Sequence, residues 1–369
     1  MMGMSGKNTK GRKRTAAMLL WIAFAAAALF GLKPLNDNIP SAQTKSSGVA
    51  VQKLMPVGAA VGIHIQTNGL MVLGTAQITD SDGRTVIPAK DAVREGDYIL
   101  AVDGRTVNTA GEMTEAIRQK GGSAMCLRVL RNGEVFEVEV SAVKTTDGSY
   151  KTGIWVRDDT QGIGTLSFID EDNRFAALGH GIADVDTGKL IDMSVGGLYP
   201  SSIYSIVKGK SLEPGEMVGN ILYGGRQKFA SVMLNTDSGI FGRLDSGQSL
   251  YKYDESKALP SGTKETMYVG DAGVMCQIYG EISVYDAQIT GIDYNGGNSN
   301  KDFILEITDP ALLECTGGII QGMSGSPVIQ DGKLVGVVTH VFLNDSTKGY
   351  GIFIENMLSK LDTIGHEVS

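Results

Sequence analysis

The chain of 369 residues has room for two domains and carries a formal charge of −8. Its acidic balance argues against a nucleic-acid-binding protein, because five positive charges lie within the first 14 residues and leave the remainder more acidic still. Forty-nine glycines against nine prolines, with many short runs of valine and isoleucine, favour a mainly β protein with tight turns.

The first 48 residues predict a membrane anchor, residues 15–32, followed by a polar tether, residues 33–48. Residues 15–32 contain no charged side chain, and as a helix they would span about 27 Å, close to the ~30 Å of a bilayer core. The basic residues 1–14 precede this run, so we expect them to stay in the cytoplasm while the rest is exported. A cleaved signal peptide is the alternative, because residues 25–28 are all alanine or similarly small.

Residues 49–143 show the pattern of a small α/β module. Strands are predicted at residues 61–66, 69–74 and 96–102. Residues 109–120 predict a helix that begins with a capping box and ends at a glycine pair, with an apolar stripe at the spacing of one helical face.

This module resembles the PDZ domains that are attached to exported bacterial proteases. The resemblance is carried by Val61-Gly62-Ile63, by residues 92–100 and by the predicted helix. It implies a groove between the strand that starts at Val61 and that helix, with Met113 and Ile117 facing a bound peptide. The peptide would add as a further strand and place its C-terminal carboxylate on the amides of the Gly62 loop.

Residues 153–369 form a second predicted domain, reached through a polar linker. Many short strand candidates are separated by turn signals every 8–12 residues, which is typical of a β-barrel or sandwich, two small barrels included.

The turn Gly322-Met323-Ser324-Gly325-Ser326-Pro327 is the strongest chemical signal of this domain. Its glycines let the backbone approach a substrate closely and turn N–H groups toward one point, as acyl transfer to Ser324 requires. The turn is not the nucleophile elbow of α/β-hydrolases, because Ser326 stands where that motif has its second glycine. The plainer reading is a Gly/Ser hairpin connection.

A nucleophilic serine needs a base, and the chain has four histidines. His180 ends a predicted strand between two glycines and lies far enough from Ser324 in sequence to meet it across an interface. His340, one strand after the serine turn, is the alternative. Cys315 could act instead as a thiol nucleophile, but the three cysteines show neither a disulfide framework nor metal-ligand spacing, and we expect no metal or organic cofactor.

The base needs a carboxylate to orient it. Asp309 ends a predicted strand directly before Pro310 and precedes Ser324 by 15 residues. Sequence spacing leaves four further aspartates open: Asp184, Asp186, Asp237 and Asp245.

Four segments of the second domain match motifs of one peptidase family: residues 177–182, 308–310, 316–327 and 336–341. They resemble the SpoIVB family, the stage IV sporulation protein B serine peptidases, which are distant members of the chymotrypsin-like group. The order of anchor, PDZ domain and peptidase agrees as well.

The resemblance implies a chymotrypsin-like double β-barrel with His180 as base, Asp309 as orienting acid and Ser324 as nucleophile. The N–H groups of Gly322 and Ser324 would form the oxyanion hole. Residues Thr339 and His340 would lie on the strand that pairs with substrate. Two residues depart from the Gly-Asp-Ser-Gly-Gly-Pro turn of chymotrypsin-like enzymes, Met323 for the aspartate and Ser326 for a glycine.

The resemblance further implies an exported serine endopeptidase of endospore formation, held in the forespore inner membrane and facing the intermembrane space. It would cleave itself and then a membrane-bound regulator of an intramembrane protease, and so trigger sigma-K activation. The PDZ domain would bind a peptide, its own chain included. The competing interpretation is a non-catalytic, membrane-tethered PDZ scaffold with a degenerate peptidase fold.

Overall fold

The computed structural model describes residues 51–223, 227–247, 249–295 and 300–365, so the predicted anchor lies outside the described residues. Within the described ranges, none of the helices combines the length and hydropathy needed to cross a bilayer.

The described residues are mostly β-structure. In chain order the strands are β1 Lys53–Thr75, β2 Ile78–Thr79, β3 Thr85–Val86, β4 Tyr98–Val102, β5 Arg105–Thr106, β6 Ala124–Arg131, β7 Glu134–Ser141, β8 Val143–Lys144, β9 Tyr150–Lys151, β10 Ile154–Ile169, β11 Arg174–Ala177, β12 Met193–Val207, β13 Glu216–Ile221, β14 Ala230–Thr236, β15 Gly239–Leu244, β16 Leu259–Pro260, β17 Gly270–Ile278, β18 Glu281–Ile292, β19 Phe303–Ile307, β20 Pro327–Gln330, β21 Lys333–Val341 and β22 Lys348–Phe353. The α-helices are α1 Ala110–Lys120, α2 Pro310–Thr316 and α3 Ile354–Leu361, with 3-10 turns at Glu255–Lys257 and Asp362–Gly365.

Six strands close into a first barrel in the order β1, β10, β11, β15, β14 and β12, with β12 pairing back onto β1. Alternate residues of β1, among them Val61, Ile63 and Ile65, point into its core and pack with Phe175 and Phe229. This period of two is what a strand with one buried face requires.

A second closed barrel follows in the order β17, β18, β19, β22, β21 and β20. Phe303 and Phe353 fill its interior. Gly336 and Gly351 make room for the Phe303 ring, since a Cβ at either position would lie within 2.7 Å of it. The predicted mainly β fold with two small barrels is therefore confirmed.

The PDZ domain is built from β4, β6 and β7 together with the outer ends of β1 and β10. Helix α1 covers this sheet, and its capping box is present: Glu112 N–H donates to Thr109 Oγ1 at 3.1 Å, and Thr109 N–H donates to Glu112 Oε2 at 3.2 Å. Asp97, buried at 1% exposure, accepts two hydrogen bonds from Arg131 at 2.6 and 2.7 Å.

The two longest strands cross the predicted domain boundary. Residues 55–66 of β1 pair with barrel strand β10 on one edge, and residues 61–66 also pair with β12 on the other edge, whereas residues 70–75 pair within the PDZ sheet. Strand β10 returns along the same path, from the PDZ sheet at Ile154 to the barrel. The PDZ domain is thus an insertion between two strands of the first barrel, and the expected division into residues 49–143 and 153–369 needs this correction.

The same pairing corrects the predicted peptide groove. Val61, Gly62 and Ile63 lie inside the first barrel, opposite residues 162–164 of β10 on one edge and residues 198–200 of β12 on the other. Both edges are filled, so no peptide can add to this strand. Met113 and Ile117 are 3% and 8% exposed and pack into the PDZ core rather than facing a groove.

Candidate active site

Ser324 lies in a tight turn between Gln321 and strand β20, where the second barrel touches the first. Gly325 has φ +94°, and a Cβ there would lie 2.4 Å from Thr165 O and 2.5 Å from Leu178 N. Its N–H donates to Val338 O at 2.7 Å. Only glycine lets the serine turn rest this closely on the first barrel.

The backbone of the serine turn is held by the first barrel. Thr165 of the first barrel holds two carbonyls of the turn: its hydroxyl donates to Gly322 O at 2.7 Å, and its N–H donates to Ser324 O at 3.1 Å. Within the described chain the N–H groups of Gly322 and Ser324 donate to no protein acceptor. The predicted pair of donors is therefore available to a developing oxyanion.

His180 reaches the same place from the first barrel. It follows Leu178 and Gly179, which have φ +71° and +70°, and a Cβ at Gly179 would lie 2.6 Å from Val337 Cγ2. The positive φ of a leucine is the kind of backbone strain found at functional sites. These two residues bend the chain so that His180 leaves the barrel facing the serine turn.

The protonation of His180 suits a general base. Its Nδ1 donates to Gly181 O at 2.9 Å, so Nε2 carries the lone pair. Burial lowers the pKa of His180 from its usual 6.5, and the Gly181 carbonyl only partly opposes this effect. The imidazole is therefore neutral at pH 7 and able to accept a proton.

Ser324 and His180 line one cavity of about 290 Å³ but share no hydrogen bond. The Ser324 hydroxyl donates instead to Thr339 O at 2.7 Å. The register of β21 against β22 shifts between Val338 and His340, so Thr339 bulges from the ladder, and its own hydroxyl donates to Asn300 O at 2.8 Å. Strand β21, which is predicted to pair with substrate, therefore accepts the hydrogen bond of the Ser324 hydroxyl.

Asp309 does not orient His180. It is the N-cap of helix α2, where its Oδ1 accepts from the N–H groups of Ala311 at 2.8 Å and Leu312 at 3.0 Å. Burial, followed by the charge of Asp309, raises the pKa of Cys276 to about 12. Among the described residues, no carboxylate contributes to the lowered pKa of His180.

The other aspartates have different surroundings. Asp184 is buried and paired with Arg157, which also binds Asp186 at 2.8 Å. Asp245 accepts a hydrogen bond from Ser231 at 2.7 Å. Asp237 is exposed in the β14–β15 turn, next to Thr236, whose carbonyl lies 2.5 Å from a Cβ placed on Gly181. The turn that contains Asp237 therefore packs against the loop that carries His180.

His340 lies beside the base, with the two imidazole centroids 5.0 Å apart. Burial, then the charges of His180 and Lys301, lower the pKa of His340 to about 4. Its Nδ1 is buried without a hydrogen-bond partner among the described residues. His340 is therefore neutral at pH 7, and among the described residues no hydrogen bond joins it to Ser324, so the structure gives no support to its role as the base.

The alternative nucleophile, Cys315, is separated from the serine turn. It lies in helix α2 and packs against the core of the second barrel, and it does not line the cavity of Ser324 and His180. In the described part of the chain, no group of histidine, cysteine and acidic side chains is arranged to hold a metal ion.

Double barrel, serine turn and free amides together define a serine peptidase with an inserted PDZ domain. The model of the SpoIVB peptidase S55 family matches residues 148–358, more than half of the chain, and the PDZ domain model matches residues 71–142. The chain therefore belongs to the SpoIVB peptidase family and is a serine peptidase.

Solved structures give weaker likenesses. The active form of the Rv3671c protease from M. tuberculosis is 17% identical, with a TM-score of 0.33 over 56% of this chain and 75% of that one. The HtrA-type protease AlgW with a decapeptide is 10% identical, with a TM-score of 0.32 over 85% and 66%. The PDZ domain of an SdrC-like protein from Listeria monocytogenes is 19% identical, with a TM-score of 0.21 over 25% and 90%. Because these TM-scores are low, the assignment to the SpoIVB peptidase family rests on the family models and not on the solved structures.

Proposed function

We propose that this serine peptidase is an endopeptidase in which Ser324 attacks the substrate carbonyl and His180 takes the hydroxyl proton. The observation that carries the proposal is the meeting of both side chains in one cavity beside two N–H donors without protein acceptors. Binding of substrate along Thr339 and His340 would draw the Thr339 carbonyl away from the Ser324 hydroxyl and leave that hydroxyl to His180.

A fluorophosphonate probe tests this assignment on the full chain in detergent micelles. We expect one covalent adduct, located on Ser324 by peptide mass spectrometry, and none in Ser324→Ala. His180→Ala should slow labelling at least ~10²-fold, because general-base assistance is typically worth 10²–10⁴-fold. An adduct on Cys315, or equal labelling of the His180 variant, would reject the proposed roles.

The cellular role proposed is the triggering of sigma-K activation during sporulation, by self-cleavage and by cleavage of a membrane-bound regulator of an intramembrane protease. The family match and the basic, then apolar, N-terminal sequence support an exported protein anchored in the forespore inner membrane. The full chain, reconstituted in vesicles, should resist alkaline extraction and release fragments that Ser324→Ala does not. A carbonate-soluble or indefinitely intact chain would count against anchor and self-cleavage respectively.

The PDZ groove is proposed to lie between α1 and the outer end of β10. Residues 154–157 of β10 pair with β1 on one edge and with no described strand on the other. Ile154 and Val156 pack against the same core as the helix, and Ala110 N–H at the helix start donates to Asp158 Oδ2 at 2.8 Å. A peptide could add to this free edge, with its carboxylate at the Gly153 turn.

Hydrogen exchange with a library of decapeptides that end in a free carboxylate tests this groove. Binding should slow exchange within residues 152–159, and amidation of the peptides should abolish the effect. Slower exchange confined to residues 61–66 would contradict this proposal and place the groove at the strand that begins at Val61.

A further inference from the structure

A second cavity, of about 650 Å³, adjoins the one that holds Ser324 and His180. The two cavities share the walls formed by residues 161–163, Gln321 and Gly322. The remaining wall is β13, Glu216–Ile221. A volume of this size is usual for ligand sites, and a chain passing the oxyanion-hole residue Gly322 would enter it directly.

Strand β13 is an edge strand. It pairs with β12 on one side. On the other side its one partner among the described residues is Gln321, whose N–H donates to Gly215 O at 2.8 Å and whose carbonyl accepts from Met217 N–H at 2.9 Å. Backbone groups of alternate residues face the same edge, so Gly219 presents its N–H and C=O on the side of Met217. No described residue pairs with Gly219 there, which leaves room for an added strand.

The direction of proton transfer indicates which part of the substrate occupies this cavity. His180 must return its proton to the amine that leaves, so the substrate segment after the scissile bond departs on the side of His180 and β10. Thr339 and His340, on the strand proposed to hold the acyl half, line neither of the two cavities. We infer that the 650 Å³ cavity binds the substrate segment on the C-terminal side of the scissile bond, as a strand added to β13. This inference rests on the proposed endopeptidase function.

Two features of the lining set the preference for this segment. Glu216 is exposed, and among the described residues that line the cavity it is the one with a charge. At the far end, the Tyr223 hydroxyl donates to Gln161 Oε1 at 2.6 Å, and its ring packs edge-on against Tyr199 with centroids 4.9 Å apart. The cavity therefore selects a basic side chain close to the scissile bond and closes on an aromatic wall beyond it.

Acyl transfer measures this selectivity without knowledge of the natural substrate. We expect the full chain to hydrolyse nitrophenyl acetate through an acetylated Ser324, and an added dipeptide amide would compete with water for that acyl group. We expect arginyl-glycinamide to capture the acyl group about two- to fivefold better than glutamyl-glycinamide, the size of a screened surface ion pair. Glu216→Gln should remove this preference. Glu213→Gln, on the same hairpin but outside the cavity, should keep it.

Methylation of the second amide nitrogen of the dipeptide should also reduce capture, because it removes a hydrogen bond to β13. If the arginyl preference is absent or survives Glu216→Gln, or if methylation leaves capture unchanged, while ester hydrolysis still depends on Ser324, the inference fails and the peptidase proposal stands. If the full chain hydrolyses the ester no faster than Ser324→Ala, the peptidase proposal fails and the inference falls with it.

Discussion

The serine side and the histidine side of the site are prepared to different degrees. The serine turn is held by Gly325 and by two hydrogen bonds from Thr165, and among the described residues the N–H groups of Gly322 and Ser324 have no protein acceptor. The proposed base, His180, bonds to the carbonyl of Gly181, and no carboxylate of the described residues forms a hydrogen bond with it. In the proposed mechanism the N–H donors therefore need no rearrangement, whereas proton transfer to His180 requires Thr339 to move.

The largest expected effect comes from breaking the serine side. Gly325→Ala places a Cβ 2.4 Å from Thr165 O, so the turn must move away from the first barrel. We expect fluorophosphonate labelling to fall at least ~10²–10³-fold, as when an oxyanion donor is lost. Gly332→Ala is the matched control, because its φ of +70° imposes similar strain in open space. Equal labelling of the two variants would show that the close contact at Gly325 is irrelevant.

On the histidine side, Asp309→Asn should leave the labelling rate within about threefold of the unmodified chain. Asparagine caps a helix as well as aspartate does, so the helix start is kept while the charge is lost. Asp309→Ala should lower the free energy of unfolding by about 1 kcal/mol through loss of the cap, as chemical denaturation can measure. A ~10⁴-fold loss of turnover in the asparagine variant would restore Asp309 as the acid of a triad.

A smaller effect concerns stability toward acid. The folded-state pKa of His340 is about 4, below the 6.5 of an unperturbed histidine. Between pH 6.5 and pH 4 the unfolded chain therefore binds a proton at His340 that the folded chain does not bind. The free energy of unfolding is thus highest above pH 6.5 and decreases as the pH falls toward 4. His340→Phe should flatten this part of the profile in thermal melts between pH 7 and pH 4. A profile unchanged by the substitution would mean that His340 is not buried as described.

Short sequence patterns predict those features of the fold that depend on a few neighbouring residues. The capping box of α1 and the glycine-flanked serine turn could be predicted because a few adjacent residues determine them. Asp309 is a helix cap and not the expected acid, and its sequence carries that signal: an aspartate, then Pro310, then apolar residues at helical spacing is a helix start. The match to a family motif predicts the other role.

Strand partners could not be predicted, because pairing joins residues far apart in the chain. The segment at residues 61–66 has the same alternation whether it borders a PDZ groove or closes a barrel. The roles of Thr165 and Gly179 were missed for the same reason, since both act by touching the other barrel.

The central claim is that His180, supported by a backbone carbonyl, is the base for Ser324. The most direct test is the rate of fluorophosphonate labelling of the full chain as a function of pH. Because burial lowers the pKa of His180, the rate should rise with a single apparent pKa below 6.5 and be level at neutral pH, and His180→Ala should abolish that step. A midpoint above 6.5, or a profile that survives His180→Ala, would contradict the account.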